Sequence, residues 1–173
     1  MPKNFLYDDI YALDFCLMDT RDVRSVWEMR NDALVSHWMY SQHISFESHI
    51  EFIQSLNHDP KRIYWLFKQG VHLLGVGSLS RIDIIHKHAY IGIYKNPKDS
   101  LIHNKGTLIL QTLEKIAHQE FGLHSLHLEV LDSNARAIRF YKRNGYCKEG
   151  VLKDFIKKDN AFVDTLIYGK ILE

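Results

Sequence analysis

Three closely spaced apolar runs between residues 62 and 97 restrict the fold more than any other feature of the sequence. The first run, RIYWLFKQ, is rich in the aromatic and β-branched residues that favour strands. A turn signal at Gln69 and Gly70 separates it from GVHLLGVGSLSRIDI, and HKHAYIGIYKNP comes next. Connections this short join antiparallel neighbours, so we predict a three-stranded meander whose last strand ends at Pro97.

The segments on both sides of the meander have helical or strand-like spacing of apolar residues. Helices are predicted at 21–32, after Ser45, at 107–121 and at 133–145, and further strands at 10–19, 123–130, 146–156 and 162–172. Thr20 is placed to cap the first helix. This order predicts an α/β (α+β) fold with one mixed, mostly antiparallel seven-stranded sheet and helices on both faces.

Length and charge limit the function classes. The 173 residues suit one domain with its own core, so residues 1–173 are interpreted as a single domain. The 22 Lys plus Arg nearly balance the 21 Asp plus Glu, which argues against a nucleic-acid-binding or acidic-membrane-binding protein. No run approaches the roughly 18 apolar residues of a membrane-spanning helix. With two cysteines outside any CxxC pair, the expectation is a soluble, cytoplasmic protein.

The polar stretch HNKGT, residues 103–107, leads into the helix at 107–121. A helix N-terminus offers backbone N–H groups and the positive end of the helix dipole to an anion, and Lys105 adds a mobile charge. These groups suit a pyrophosphate, although a glycine before a helix is more often only a turn. Neither GxGxxG nor GxxxxGK(S/T) is present, so neither a Rossmann nor a P-loop nucleotide site is indicated.

An acid interrupts the apolar strand at 123–130. Strand alternation puts Glu129 on the same face as His127, opposite Leu126 and Leu128. Taken alone, such a carboxylate most often faces solvent. The segment after this strand favours a catalytic interpretation instead, because of the family that it resembles.

Four segments, YIGIYKNP, HNKGTLILQTLEKIA, LHLEV and DSNARAIRFYKRNGY, together resemble the acetyl-coenzyme A core of the GCN5-related N-acetyltransferases (GNAT family). The last segment carries the family pattern N-x-x-A-x-x-x-Y at Asn134, Ala137 and Tyr141, followed by a Gly145-aromatic pair. The resemblance covers nearly the whole chain in element order. One departure lies in the pyrophosphate loop, where the family has an Arg or Gln and two spaced glycines, whereas only Gly106 is clear here.

The resemblance implies a GNAT fold with splayed central strands and acetyl-CoA as co-substrate. The backbone of the strand after Tyr90 would pair with the pantetheine amides as an added strand does. Glu129 would take the proton of the acceptor amine, directly or through a water, and the Tyr141 hydroxyl would protonate the departing thiolate. The acetyl-CoA contacts that it implies are Ile91, Gly92, Ile93, Tyr94, Lys95, Asn104, Lys105, Gly106, Thr107, Asn134, Ala137 and Tyr141.

Eleven histidines raise the question of a metal site. His124 and His127 face opposite sides of a strand and cannot share an ion. His86 and His88 share a face but lack Cys or carboxylate partners at a familiar spacing. We expect no metal cofactor.

The N-terminal part combines cationic, aromatic and apolar groups in EMRND, WMYS and HIEFI. Arg and His suit phosphate, while Met and aromatic rings pack against sugar carbons; Trp38 is interpreted as core. With GVGS, HKHAYIGIYKNP, LHSLHLEV and FYKRNGY, these segments resemble the GNAT branch that acetylates the 4-amino group of UDP-linked 4-amino-4,6-dideoxy-N-acetyl-altrosamine in pseudaminic acid biosynthesis, for flagellin glycosylation. The resemblance implies a nucleotide site at Arg30 and His49, and a sugar pocket at Met39, Tyr40, Phe52 and Tyr90.

Two alternatives remain from the sequence. Acetyltransferases that act on the N-terminal α-amine of ribosomal proteins share the early R-N helix and the C-terminal motif, so a peptide acceptor is the second choice. A module that senses acetyl-CoA without catalysis is opposed by the presence of both Glu129 and Tyr141. The oligomeric state is open, and a homodimer is compatible with the sequence.

Overall fold

The three central apolar runs form consecutive antiparallel strands, which confirms the predicted meander. They are β3 (Ile63–Gln69), β4 (His72–Asp83) and β5 (His88–Lys95). Gly70 makes the first turn with a φ of 55°, a value that glycine adopts without strain. Residues 65–67 are completely buried, because the sheet is covered on both faces at this point.

The computed structural model describes residues 3–41, 43–98, 100–158 and 160–173. The remaining strands are β1 (Phe5–Tyr7), β2 (Ile10–Asp14), β6 (Ser125–Leu131), β7 (Cys147–Lys158) and β8 (Ala161–Ile171). The helices are α1 (Thr20–Asn31), α2 (Ala33–Ser36), α3 (Phe46–Leu56), α4 (Lys105–Lys115) and α5 (Ala135–Arg143).

Within these residues the strands form one eight-stranded sheet in the order β1-β2-β3-β4-β5-β6-β8-β7. The β5–β6 pair is parallel and the other neighbours are antiparallel. The predicted α/β class is therefore confirmed, but the predicted count of seven strands omits β1. Its three residues are too few to show an alternating pattern in the sequence.

The central strands β5 and β6 diverge, as the family resemblance implied. Their pairing covers only His88–Tyr90 against Ser125–His127, although both strands continue beyond these residues. The polar backbone groups of β5 that point towards β6 after Tyr90 are therefore left without a strand partner.

Several element boundaries differ from prediction because polar side chains fix them. Asp19, not Thr20, caps α1, and its carboxylate accepts from the Asp22 N–H at 2.8 Å. The strand predicted at 10–19 is β2 and ends at Asp14, whose carboxylate accepts from the Cys16 N–H at 2.9 Å and caps a 3₁₀ turn.

The helix predicted at 107–121 is also shifted. α4 begins at Lys105, because Asn104 takes the left-handed conformation with a φ of 58° and ends the preceding loop there. Its C-terminal part continues as a π-helical turn at Ile116–Glu120.

The helices lie on both faces of the sheet, as predicted. On one face, α4 packs Ile109, Leu110 and Leu113 against the apolar side of the strands. On the other, α1 packs Val26 and Met29 against a second cluster. No helix among the described residues has both the length and the apolar character needed to cross a membrane. The interpretation of 1–173 as one domain stays a prediction.

We expect Leu113→Ala to lower the free energy of unfolding by about 2–5 kcal/mol, since Leu113 is completely buried and its loss leaves a cavity. Leu34→Ala is the matched control, because Leu34 is 74% exposed and its loss should cost less than about 0.5 kcal/mol. Urea denaturation followed by circular dichroism measures both values. Equal effects of the two changes would contradict the assignment of α4 to the core.

Candidate active site

A cavity of about 580 Å³ opens where β5 and β6 diverge. Its wall is built from α1, α2 and the segment after it, α3, the strands β3 to β6 and α5. The predicted site residues in this wall are Arg30, Met39, Tyr40, His49, Phe52, Tyr90, Ile91, Gly92, Ile93, Tyr94, Glu129, Asn134, Ala137 and Tyr141. Candidate donor and acceptor residues therefore share one cavity.

The remaining predicted residues, Lys95 and the segment 104–107, lie outside the cavity wall. Backbone N–H groups of Gly106 and Thr107 belong to the first turn of α4, which has no intrahelical partner for them. The Lys105 side chain is not the mobile charge that the sequence suggested. It is buried, and its Nζ donates to the Asn96 carbonyl at 2.6 Å.

Three cations from different elements interact electrostatically. Partial burial, followed by the charges of Arg136 and Lys105, lowers the pKa of Lys95. Lys95 of β5, Lys105 of α4 and Arg136 of α5 are thus close enough to repel one another, and a polyphosphate would relieve that repulsion. Sequence reasoning missed Arg136, although its position inside the N-x-x-A motif was a usable signal.

Glu129 faces the cavity and not the solvent. Its side chain is 12% exposed, its Oε2 accepts from the Tyr40 hydroxyl at 2.7 Å, and its Oε1 lies 2.7 Å from Nη1 of Arg81. Both carboxylate oxygens are therefore engaged by side chains from other parts of the chain. The carboxylate is oriented by a phenol and by a guanidinium before any acceptor enters.

The Tyr40 hydroxyl remains a proton donor in this arrangement. Burial, followed by the hydrogen bond to Glu129, raises the pKa of Tyr40 well above its ordinary value. The neighbouring Trp38 is 38% exposed and also lines the cavity, so its interpretation as a core residue is wrong.

Tyr141 and Asn134 come to the cavity on α5. Tyr141 is 8% exposed, packs edge-on against Tyr146 with ring centroids 5.7 Å apart, and has a pKa that burial raises to about 12. Its hydroxyl therefore holds its proton at neutral pH. The Oδ1 of Asn134 caps α5 by accepting from the Ala137 N–H at 3.1 Å, which leaves the amide nitrogen as the atom for a ligand contact.

Arg30 and His49 lie deeper in the acceptor side. Nη2 of Arg30 donates to the Ser41 carbonyl at 2.7 Å. His49 is 2% exposed, and burial, more than the charge of Arg30, lowers its pKa. The imidazole is therefore neutral at pH 7, and its Nε2 finds no hydrogen-bond partner among the described residues.

Apolar and aromatic surface completes this side of the cavity. Phe52 packs edge-on against Tyr64 at 5.0 Å between centroids, which fixes its ring. Tyr90 lies between the guanidinium of Arg81, 4.3 Å from its ring centroid, and the His127 ring at 5.6 Å. Sequence reasoning missed Arg81, because no motif marks it and its importance arises only from contacts across strands.

The histidines show no metal-binding arrangement in the part of the chain that the structure describes. His127 instead lies with Nδ1 2.7 Å from Glu149 Oε2. His88 is nearby, with ring centroids 5.9 Å apart in an edge-on contact.

A splayed sheet, with a mostly buried carboxylate and a buried phenol beside one cavity, is the arrangement that an acyl-CoA-dependent transferase site would use. The sequence matches the family model described as the acetyltransferase (GNAT) domain over residues 17–167, and the chain belongs to this family. It is therefore an N-acetyltransferase that uses acetyl-CoA and acts on an acceptor amine.

Three curated relatives match much of the chain, and the two whose names give an acceptor differ in it. Acetyltransferase PseH of Campylobacter jejuni is 25% identical over 82% of this chain and 87% of that protein. Spermidine N(1)-acetyltransferase of Vibrio cholerae is 26% identical over 78% and 79%. Ribosomal-protein-serine acetyltransferase of Escherichia coli is 27% identical over 65% and 62%.

Solved structures of two of these proteins have the same fold. Spermidine N-acetyltransferase from V. cholerae, in complex with CoA and spermine, matches with a TM-score of 0.84 at 17% identity, over 96% of this chain and 97% of that chain. C. jejuni PseH, in complex with acetyl coenzyme A, matches with a TM-score of 0.71 at 18% identity, over 95% and 99%. The fold is common to both, so the acceptor must be argued from the cavity.

We expect Arg136→Ala to raise the KM for acetyl-CoA about tenfold with little change in kcat, because a charge-assisted contact to phosphate is lost. Arg143→Ala is the control, since Arg143 is exposed at the other end of the same helix. Steady-state release of free CoA measures both. Equal KM values for the two variants would remove Arg136 from the co-substrate site.

Proposed function

We propose that the enzyme acetylates the 4-amino group of a UDP-linked 4-amino-4,6-dideoxy-N-acetyl-altrosamine, an intermediate of pseudaminic acid biosynthesis for flagellin glycosylation. Glu129 acts as the base and Tyr141 as the acid. The proposal includes a cytoplasmic location. The observation that carries the choice of acceptor is the charge of the cavity wall.

The side chains of that wall favour an acceptor with negative charge. Among the described residues, its charged groups are Arg30, Arg81 and Glu129, and Glu129 is already paired with Arg81. With His49 neutral, these groups leave one net positive charge. A diphosphate is attracted to such a wall, whereas a polyamine brings several positive charges to a cavity with one carboxylate.

The apolar side chains of the cavity wall also favour a sugar as acceptor. Met39, Phe52 and Tyr90 line the same cavity and offer flat or flexible apolar surface to a sugar ring and its methyl group. The cavity volume also falls in the range of about 300–1,000 Å³ that is typical of small-molecule sites. A nucleotide sugar matches this combination of cationic and apolar surface better than an aliphatic amine does.

A peptide α-amine is the second candidate, and the E. coli relative named for a ribosomal protein is the observation that favours it. A peptide N-terminus also needs a carboxylate near its amine. A peptide α-amine has no group that requires the half-buried Arg30, which lines the same cavity as the carboxylate. We therefore place the peptide second.

The proposed reaction gives one proton transfer to each of the two catalytic groups. The carboxylate of Glu129 takes a proton from the acceptor ammonium, directly or through a water, and the freed nitrogen attacks the thioester carbonyl carbon. As the new N–C bond forms and the C–S bond breaks, the Tyr141 hydroxyl gives its proton to the thiolate, and the nitrogen loses its second proton to solvent to give the neutral amide. Proton exchange with solvent then restores both groups.

An acceptor panel tests the proposed function. The UDP-linked 4-amino sugar, its C4 epimer, spermidine and an N-terminal ribosomal peptide are each assayed for acetyl-CoA turnover. We expect the highest kcat/KM with the UDP-linked sugar, since spermidine and the peptide lack the diphosphate and the deoxy ring, and the C4 epimer presents its amine in the other configuration. Activity on the peptide or the polyamine alone would overturn the proposal.

A second prediction concerns the catalytic groups. Glu129→Gln and Tyr141→Phe should each lower kcat about 100-fold or more, because each removes one proton transfer and changes little volume. Tyr11→Phe, at a tyrosine that is 36% exposed and outside the cavity wall, is the control for the loss of a hydroxyl. Near-normal kcat in both cavity variants would show that other groups move the protons.

A further inference from the structure

Arg81 lies at an irregularity of β4, where the register with β5 shifts between Ser80 and Asp83. Its φ is 49°, in the left-handed region that residues other than glycine rarely adopt. Bulges redirect side chains, and unfavourable backbone conformations concentrate at functional sites. The unusual backbone at Arg81 therefore points to a function of its side chain.

The side chain crosses from β4 over β5 to β6. Nη1 of Arg81 lies 2.7 Å from Glu129 Oε1, and the guanidinium lies over the Tyr90 ring at 4.3 Å from its centroid. Arg81 is 58% exposed, whereas Glu129 is 12% exposed. Such a pair adds little to stability because water screens the arginine, so its main effect is on the charge and orientation of the carboxylate.

That carboxylate is the one anionic side chain in the cavity wall among the described residues. A second ammonium group of an acceptor would therefore have to displace Arg81 from its ion pair with Glu129. Otherwise it would lie without a counter-charge near the guanidinium groups of Arg30 and Arg81. An acceptor with one amine and a neutral or anionic remainder meets no such cost.

We propose that Arg81 is a positioning residue that determines specificity: it holds Glu129 in an ion pair and thereby excludes acceptors with positive charge beyond the reacting amine. The inference rests on the proposed acetyl transfer at this cavity. It assigns the selection against cationic acceptors to one side chain outside the family motif.

Three variants separate the effect of the Arg81 charge from an effect on the β4 bulge. Arg81→Asn removes the guanidinium but tolerates a positive φ, so the bulge is retained. Arg81→Lys keeps a positive charge. Lys153→Gln is the control for net charge, because Lys153 forms an exposed ion pair with Asp164 at 2.6 Å, in the hairpin of β7 and β8.

The measured quantity is the ratio of kcat/KM for the UDP-linked amino sugar to that for spermidine. We expect this ratio to fall at least tenfold in Arg81→Asn, since an unpaired Glu129 attracts the additional ammonium groups and one attraction for phosphate is lost. In Arg81→Lys and Lys153→Gln the ratio should stay within about threefold of wild type. Calorimetric binding of the two acceptors gives the same comparison for a variant that turns over too slowly.

Equal losses with both acceptors in Arg81→Asn would overturn the inference and leave Arg81 a merely structural role. An unchanged ratio would overturn it as well. An error in the proposed function gives a different result, because the wild-type enzyme would then not acetylate the UDP-linked sugar at all. In that case a neutral amino sugar replaces it, and the ratio of neutral to cationic acceptor tests Arg81 alone.

Discussion

The divergence of β5 and β6 is the constraint on which the remaining structure depends. The two strands pair only as far as Tyr90 and His127, and beyond that point the sheet is held together by the outer pairs of β4 with β5 and of β6 with β8. The gap supplies unpaired backbone groups on one side and a place for Glu129 on the other. Helices on both faces stabilise the sheet around the gap, since each face has its own apolar cluster.

Contacts across the gap connect parts of the chain that are distant in sequence. Tyr40, from the segment after α2, donates to a carboxylate that is 89 residues away. Arg81, from the bulge of β4, reaches the second oxygen of the same carboxylate. The acceptor side of the cavity is therefore connected to the proposed base by hydrogen bonds. A substitution at Tyr40 or Arg81 should change the position or charge environment of the Glu129 carboxylate.

Local patterns predicted most of the fold and part of the candidate site. The central meander follows from β-branched and aromatic runs with a glycine turn, and the motif at Asn134, Ala137 and Tyr141 indicates the co-substrate through the family resemblance that it carries. Arg81 was not predictable, since it acts through a bulge and through contacts with two other strands. The buried state of Lys105 was equally hidden, because it depends on a carbonyl in the preceding loop.

The position of the unpaired edge of β5 has a further consequence. An exposed strand edge at the border of a sheet invites pairing with another protein chain and so favours aggregation. Here the edge lies between two strands of the same sheet, and their common start at His88–Tyr90 closes one end of the opening. The opening is therefore a wedge inside the sheet, closed at one end, and not a free border strand. The unpaired backbone edge of β5, which is proposed to pair with the pantetheine arm, therefore lies inside the sheet, whereas the border strands of the sheet are β1 and β7.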